Sequence, residues 1–230
     1  MLDVRKLVAE FIGTFALIFI GAGSVLVDSI TGGAVGLVGI GLAHGLVLLA
    51  MIYSLAGISG AHFNPAVTIS MLAARRMGAA EAGAYILSQL LGSASAAFFL
   101  LLLFPAAGAT ALYGFPVNVP LFFGIGVEAV LTFLLVMTVY GVAVSRQAPA
   151  GASGLAIGAV IICDIMLGGT QTGGAMNPAR AFGPALLSSI PANHVIYWAG
   201  PIAGALLAAL VSEYLHFQKK EEPKGRIARR

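Results

Sequence analysis

Long apolar runs alternate with short polar or glycine-rich segments along this chain of 230 residues. A helix needs about 20 apolar residues to cross a bilayer. Five runs reach that length, at roughly 7–27, 34–57, 82–104, 121–144 and 195–215. A shorter run, about 154–169, contains Asp164 and ends in two glycines, and we predict it as the fifth of six spans. The pattern therefore predicts an all-α membrane protein.

Two further apolar segments are too short to cross a bilayer. They lie at about 64–74 and 177–189, and each begins with Asn-Pro-Ala. Backbone that breaks off at membrane depth is tolerated where it is buried in protein or lines a water-filled cavity. We therefore predict that both segments are re-entrant half-helices.

The composition supports membrane insertion. Apolar residues make up 59% of the chain and charged residues 9%, against about 45–50% and roughly 25% in soluble domains. The single cysteine, Cys163, excludes an intrachain disulfide and a cysteine-based metal cluster. The N-terminus has the positive start of a signal peptide, but its apolar run is too long and contains Glu10, so we predict an uncleaved first helix.

The basic residues predict the orientation in the membrane. If both termini of a six-span protein are cytoplasmic, eleven of the twelve lysines and arginines fall on the cytoplasmic side, as the positive-inside rule requires. Those eleven are Arg5, Lys6, Arg75, Arg76, Arg146, Lys219, Lys220, Lys224, Arg226, Arg229 and Arg230. Only Arg180 lies toward the outer side, directly after a half-helix motif. A charge placed there indicates a functional site, with a structural outer-loop arginine as the alternative.

The chain contains an internal repeat. The matching stretches are SGAHFNPAV (59–67) with TGGAMNPAR (172–180), AEFIGTF (9–15) with VEAVLTF (127–133), and YILSQLLG (85–92) with YWAGPIAG (197–204). Each half contains three spans, an odd number, so the second half enters from the opposite side of the membrane. Inverted repeats place their working site near the midplane, between the repeats. We predict one transmembrane domain over 1–230, with a first half (1–112), a second half (113–217) and a basic cytoplasmic tail (218–230).

The Asn-Pro-Ala triplets have a physical reading as helix starts. Asparagine is a preferred N-cap, and proline suits the first helical position because its missing N–H would be unpaired there. In an inverted repeat the two starts can meet head to head, each with about half a positive charge. Each asparagine oxygen would cap its own helix and leave the amide NH₂ free to donate to a solute. A single triplet is typical of an ordinary loop-to-helix cap, but two at matched positions are specific. The residues are Asn64, Pro65, Ala66, Asn177, Pro178 and Ala179.

On these motifs the chain resembles the aquaporin, or major intrinsic protein, family over about 4–216. The resemblance implies a right-handed bundle of six tilted helices plus two half-helices, and a homotetramer with one pore in each subunit. It implies a passive channel for water and other small neutral solutes that excludes protons and ions, with no cofactor, no metal and no enzymatic activity.

The resemblance also implies an outer selectivity filter formed by His44, Ile165, Gly174 and Arg180. This set departs from strict water channels, which combine a phenylalanine with a histidine, and from glycerol facilitators, which place two aromatics beside the arginine. It is similar to some tonoplast intrinsic proteins, which pass water and ammonia. Ala181, in place of an aspartate, favours water as the main solute, as does the aromatic pair Tyr197-Trp198. A channel whose main role is to pass ammonia, another gas or glycerol is the alternative.

Other polar residues have expected supporting roles. Family likeness implies that Glu10 and Glu128 are buried acids that hold the lead-ins to the half-helices. It also implies that the lead-ins line the pore with backbone, at Gly60, Ala61, His62, Gly173 and Ala175. His62 has a hydrogen-bonding role as its alternative. For Asp164 two interpretations stay open, a hydrogen bond within the filter wall or an electrostatic contact with Arg180.

Two other function classes compete with a passive channel. Inverted repeats and buried carboxylates also occur in ion-coupled secondary transporters, but the helix starts and Arg180 disfavour a cation site. A junctional membrane protein would need outer surface, and the outer segments 28–34 and 105–120 are short. No nucleophile–base pair or metal-ligand spacing favours an enzyme. We expect a plasma-membrane location, with membrane lipid as a partner and no nucleic acid.

Overall fold

The computed structural model describes residues 2–116, 118–145, 151–188, 190 and 193–217. The described part of the chain is helical, and a π-helical turn at Tyr140–Val144 continues α6. Its α-helices are α1 (Val4–Ile30), α2 (Gly36–Ser59), α3 (Pro65–Ala73), α4 (Ala79–Leu103), α5 (Gly108–Tyr113), α6 (Leu121–Val139), α7 (Ser153–Gly168), α8 (Pro178–Ser188) and α9 (Ile196–Phe217). Arg146 and the predicted basic tail, 218–230, lie outside the described residues.

Within the described ranges, five helices are long and apolar enough to cross a membrane: α1, α2, α4, α6 with its π-helical turn, and α9. The predicted fifth span, α7, has 16 residues and is shorter than the others. The two Asn-Pro-Ala segments form the short helices α3, of 9 residues, and α8, of 11 residues. The sequence did not predict α5, which lies between α4 and α6.

The helix contacts repeat in the two halves. In the first half α1 packs on both α2 and α4, and in the second α6 packs on both α7 and α9. Each half-helix crosses into the other half, so that α3 packs on α9 and α8 packs on α4. The long contact between α2 and α7 joins the halves on another side. The half-helices are therefore enclosed by spans from both repeats.

Glycines allow the closest helix contacts. A Cβ atom at Gly92 would overlap the carbonyl oxygen of Phe11, and one at Gly204 would overlap that of Ala129. These two contacts join α4 to α1 and α9 to α6, at matched positions of the repeat. Between the halves, a Cβ at Gly158 would lie 2.6 Å from the carbonyl oxygen of Gly45. Small residues let membrane helices approach closely enough for extensive van der Waals contact.

Candidate functional site

Each half-helix begins with an asparagine that caps it. The Asn64 side-chain oxygen accepts a hydrogen bond from the Ala66 N–H at 2.8 Å. The Asn177 oxygen accepts one from the Ala179 N–H at 2.9 Å. In α3 the following proline occupies the first turn, where no N–H is required. Both asparagines are 4% exposed, so the two helix starts are buried at the centre of the bundle.

The two caps also hold the halves together. Asn64 Nδ2 donates to the Met176 carbonyl at 2.9 Å, and Asn177 Nδ2 donates to the Phe63 carbonyl at 2.9 Å. The prediction that each amide NH₂ would be free was therefore wrong for one of its two N–H bonds. An amide nitrogen has two hydrogens, so each asparagine keeps one further donor. The other N–H is bonded to a backbone carbonyl of the opposite lead-in, because that buried carbonyl would otherwise have no donor.

A buried glutamate holds each lead-in. Glu10 accepts hydrogen bonds from the N–H groups of His62 and Phe63, at 3.0 and 2.7 Å. Glu128 accepts from those of Ala175 and Met176, at 2.9 and 2.7 Å. A hydroxyl completes each set, from Ser59 at 2.7 Å in the first half and from Thr172 at 2.6 Å in the second. A carboxylate that accepts several backbone N–H bonds fixes loop backbone that has no helix or sheet partner.

The same backbone conformation recurs in both lead-ins. The φ angles of Gly60, Ala61 and Phe63 are 86°, 53° and 48°, and those of Gly173, Gly174 and Met176 are 91°, 55° and 51°. Positive φ is uncommon for residues other than glycine, and here it occurs at three matched positions in each half. The glutamate hydrogen bonds hold the chain in this turn.

A narrow cavity runs past both half-helix starts. Its volume, counted over the positions that the centre of a water molecule can occupy, is about 40 Å³. Since one water needs about 10–15 Å³ on that measure, the cavity holds only a few waters. Its walls are mostly apolar. The polar side chains on it are His44, His62, Asn64, Asn177 and Arg180.

Arg180 lies at this cavity with two neighbours that fix its direction. Its Nε–H donates to Nε2 of His44 at 3.2 Å. Its guanidinium carbon lies 4.2 Å from the centre of the Phe115 ring, which is the geometry of a cation–π contact. The Phe115 ring packs on Tyr197, with 4.7 Å between ring centres. Arg180 is 4% exposed.

The structure brings the four predicted filter residues to one cavity. Ile165 and Gly174 line it together with His44 and Arg180. Gly174 lies close to α7, because a Cβ at Gly174 would be 3.5 Å from Cα of Ile165. Glycine and isoleucine offer no polar side-chain atom on this side of the opening.

Neither predicted contact of Asp164 occurs among the residues that the structure describes. Its Oδ2 atom is buried without a hydrogen-bond partner among the described residues. Among the described residues, no ion pair within 4 Å joins Asp164 to Arg180. Asp164 precedes Ile165 on α7 but does not line the cavity, because successive helical residues point in directions about 100° apart.

The predicted lead-in residues divide into two groups. His62 and Ala175 line the cavity, whereas Gly60, Ala61 and Gly173 do not, because they form the turn that precedes it. His62 also lines a second, more polar cavity of about 160 Å³. That cavity includes the ion pair between Lys6 and Glu81, 2.8 Å apart, and therefore lies at the end of the bundle that carries the basic residues.

Phe115 and Gln89 are among the residues of the site that the sequence analysis missed. Phe115 lies between α5 and α6, and no residue of the first half matches it. Gln89 donates to Glu10 at 2.7 Å and to Thr68 Oγ1 at 3.0 Å. A signal for Gln89 was present, since a buried amide in an apolar helix requires partners. No signal indicated which aromatic residue would cover Arg180.

Comparison with known proteins agrees with this architecture. The family model described as Major intrinsic protein matches residues 1–212. The chain is 39% identical over 230 residues to Aquaporin TIP4-4 of Zea mays, covering 97% of this chain and 91% of that protein. It is 40% identical over 242 residues to Aquaporin AqpM of Methanothermobacter thermautotrophicus, covering 92% and 97%. The X-ray structure of the aquaglyceroporin from Plasmodium falciparum has the same fold, with a TM-score of 0.79 at 24% identity over 90% of this chain and 94% of that one. The chain is therefore a multi-pass membrane protein that belongs to the aquaporin, or major intrinsic protein, family.

Proposed function

We propose that this protein is a passive channel for water and other small neutral solutes. The observation that carries the proposal is the narrow cavity between the halves, which passes both capping asparagines and Arg180 and has otherwise mostly apolar walls. Apolar walls with a few polar groups let a solute pass without binding it tightly. The relatives named aquaporins support the same function.

The two half-helix starts exclude cations and protons. Each start carries about half a positive charge from the helix dipole, and the cross-bonds of Asn64 and Asn177 keep the two starts together. A cation between them is repelled from both sides in a medium of low dielectric constant. Each asparagine keeps one N–H to donate, so a water there accepts two hydrogen bonds. That water cannot relay a proton easily, because its neighbours on both sides must then accept from it.

The filter at His44, Ile165, Gly174 and Arg180 selects small neutral solutes. Arg180 opposes cations by its charge and donates hydrogen bonds to molecules with lone pairs, such as water and ammonia. The apolar side chain of Ile165 and the missing side chain of Gly174 leave the opening wider and less polar than a larger polar residue would. Water is the main solute in this proposal, and ammonia is the first further solute to test.

Membrane placement and assembly follow the sequence and the family. We infer that both termini are cytoplasmic, because all basic residues other than Arg180 then lie on the cytoplasmic side. We further infer a plasma-membrane location, a homotetramer with one pore in each subunit, and contacts with membrane lipid. The halves 1–112 and 113–217 are the two repeats of this channel, and residues 218–230 are its cytoplasmic tail.

Stopped-flow light scattering on proteoliposomes tests the function. We expect vesicles with the protein to shrink under osmotic shock several times faster than empty vesicles. Removing the Arg180 side chain, in Arg180→Ala, should keep water flux but admit larger solutes and weaken cation exclusion, because a charge and its donors leave the filter.

Two results would contradict the proposal. If vesicles with correctly folded protein shrink no faster than empty ones, the protein is not a water channel. If Arg180→Ala changes neither the ratio of glycerol to water permeability nor the cation leak, the filter assignment is wrong. Dissipation of a proton gradient during solute uptake would favour a secondary transporter instead.

A further inference from the structure

We infer that His44 is a positioning residue, which fixes the direction of Arg180 and does not itself bind the permeating solute. The inference rests on the proposed channel function and concerns how its filter works. His44 lines the cavity, so contact with the solute would be the simpler expectation. The hydrogen bonds of its ring indicate otherwise.

Both ring nitrogens of His44 are already engaged. Nδ1 lies 2.9 Å from the carbonyl oxygen of Ile40, one helical turn earlier. A carbonyl can only accept, so Nδ1 carries the ring proton and Nε2 has the lone pair. That lone pair accepts the Nε–H of Arg180 at 3.2 Å. No donor or acceptor of the neutral ring remains for a solute.

The histidine ring is also held in place by its packing. A Cβ atom at Gly21 of α1 would overlap the ring. The glycine therefore lets the imidazole lie directly against the backbone of α1, and His44 is 2% exposed. A ring held by a backbone carbonyl on one side and by a helix on another presents Nε2 in one direction.

Arg180 is oriented by this acceptor and by one aromatic face. Its Nε–H is bonded to His44, and Phe115 lies 4.2 Å from its guanidinium carbon. The Phe115 ring cannot retreat toward the lead-in, because it fills the space that a Cβ at Gly173 would need. The two terminal amino groups of Arg180 have no hydrogen-bond partner among the described residues. They are also not among the buried atoms that lack a partner, so they are accessible from the cavity. The geometry leaves them as the side-chain donors that the filter offers to a solute.

The inference predicts different outcomes for two substitutions of His44. His44→Gln keeps an oxygen that can accept from Arg180 and an amide that can donate to a carbonyl. His44→Phe keeps a ring but has no acceptor, so the guanidinium turns toward the lumen and narrows it. We expect the ratio of glycerol to water permeability to fall at least about threefold in His44→Phe and to stay within about twofold of wild type in His44→Gln. His194→Phe is the matched control, because His194 accepts from Trp198 and lies outside the cavity.

A double-mutant cycle with Arg180→Ala separates positioning from solute binding. If His44 acts only through Arg180, adding His44→Phe to Arg180→Ala changes the permeability ratio by less than about twofold. Effects of the two substitutions that simply multiply would overturn the inference, because His44 would then contact the solute itself. If His44→Phe does not fold, His44→Leu takes its place, since it also lacks an acceptor.

A spectroscopic measurement checks the same point without transport. Nitrogen-15 NMR of the labelled protein should show the His44 proton on Nδ1, and the Nε2 resonance should shift in Arg180→Ala. A proton on Nε2 would overturn the inference even if the channel conducts normally. Failure of the wild-type protein to conduct water would instead overturn the proposed function and would leave the NMR result to be judged by itself.

Discussion

The two half-helices have the same backbone but present different side chains to the cavity. Their lead-ins share the three left-handed positions, the bracing glutamate and the hydroxyl beside it. A tyrosine hydroxyl closes each turn, since Tyr85 donates to the Ser59 carbonyl and Tyr197 to the Thr172 carbonyl, both at 2.8 Å. The position that follows Asn-Pro-Ala, however, is Val67 in the first half and Arg180 in the second, and both line the cavity.

This difference shows how the repeat divides structure from selectivity. The residues that hold backbone are repeated, because an unpaired N–H or carbonyl is equally costly in either half. Apart from the capping Asn64 and Asn177, the polar side chains that face the cavity are not repeated, because a solute needs to be selected only once along its path. Val67 packs in an apolar cluster with Met71 and Val136, whereas Arg180 is matched to His44 and Phe115.

Substitutions of Glu10 and Glu128 give the strongest test of the lead-in structure that the two halves share. Glu128→Leu leaves the N–H groups of Ala175 and Met176 without an acceptor, and each unpaired buried donor costs about 1–3 kcal/mol. We expect a large fall in the thermal unfolding temperature in detergent, or loss of folded protein. Glu128→Gln keeps one acceptor oxygen and should fall between this variant and wild type.

Glu10→Leu should have an effect at least as large, because Glu10 also accepts from Gln89. Glu81→Gln is the matched control. Its carboxylate pairs with Lys6 at 2.8 Å but is 31% exposed, and such pairs contribute about 0–1 kcal/mol. A wild-type unfolding temperature for either leucine variant would show that these carboxylates do not hold the lead-ins.

Gln89 tests where the shared part ends. Gln89 aligns with Pro201 of the second half, so Glu128 lacks the matching amide donor. Gln89→Leu removes a hydrogen bond to a carboxylate, worth about 1.5–3 kcal/mol, but it also removes the buried Oε1 atom, which has no partner among the described residues. We expect the two effects to cancel in part, with an unfolding temperature lower than wild type but well above that of Glu10→Leu.

The control for Gln89 is the exposed Gln171, where substitution by leucine should leave the unfolding temperature unchanged. An effect of Gln89→Leu as large as that of Glu10→Leu would contradict the comparison. It would mean that the hydrogen bonds around Glu10 depend on Gln89 as the fourth donor, although Glu128 has no such donor among the described residues.

The sequence predicted the repeated part better than the unique part. The spans and the half-helices follow from the lengths of the apolar runs. The equivalence of Glu10 and Glu128 follows from the matching stretches of the two halves. The prediction of free asparagine amides was wrong in part because it depends on how closely the two starts approach. The contacts of Asp164 could not be predicted either, because a shift of one residue along α7 decides whether a side chain faces the cavity.

Phe115 has no counterpart in the first repeat, and its substitution gives the smallest expected effect. A cation–π contact contributes about 0.5–2 kcal/mol, so Phe115→Leu should loosen Arg180 without releasing it from His44. We expect the ratio of glycerol to water permeability to change in the same direction as in His44→Phe, but by less. Tyr113→Phe is the control, because Tyr113 packs beside Phe115 with 5.3 Å between ring centres and the variant keeps its ring. If Phe115→Leu alters the ratio as much as His44→Phe does, the aromatic face and not the histidine acceptor sets the direction of Arg180. The asymmetry of the two half-helices then comes chiefly from the segment between α5 and α6.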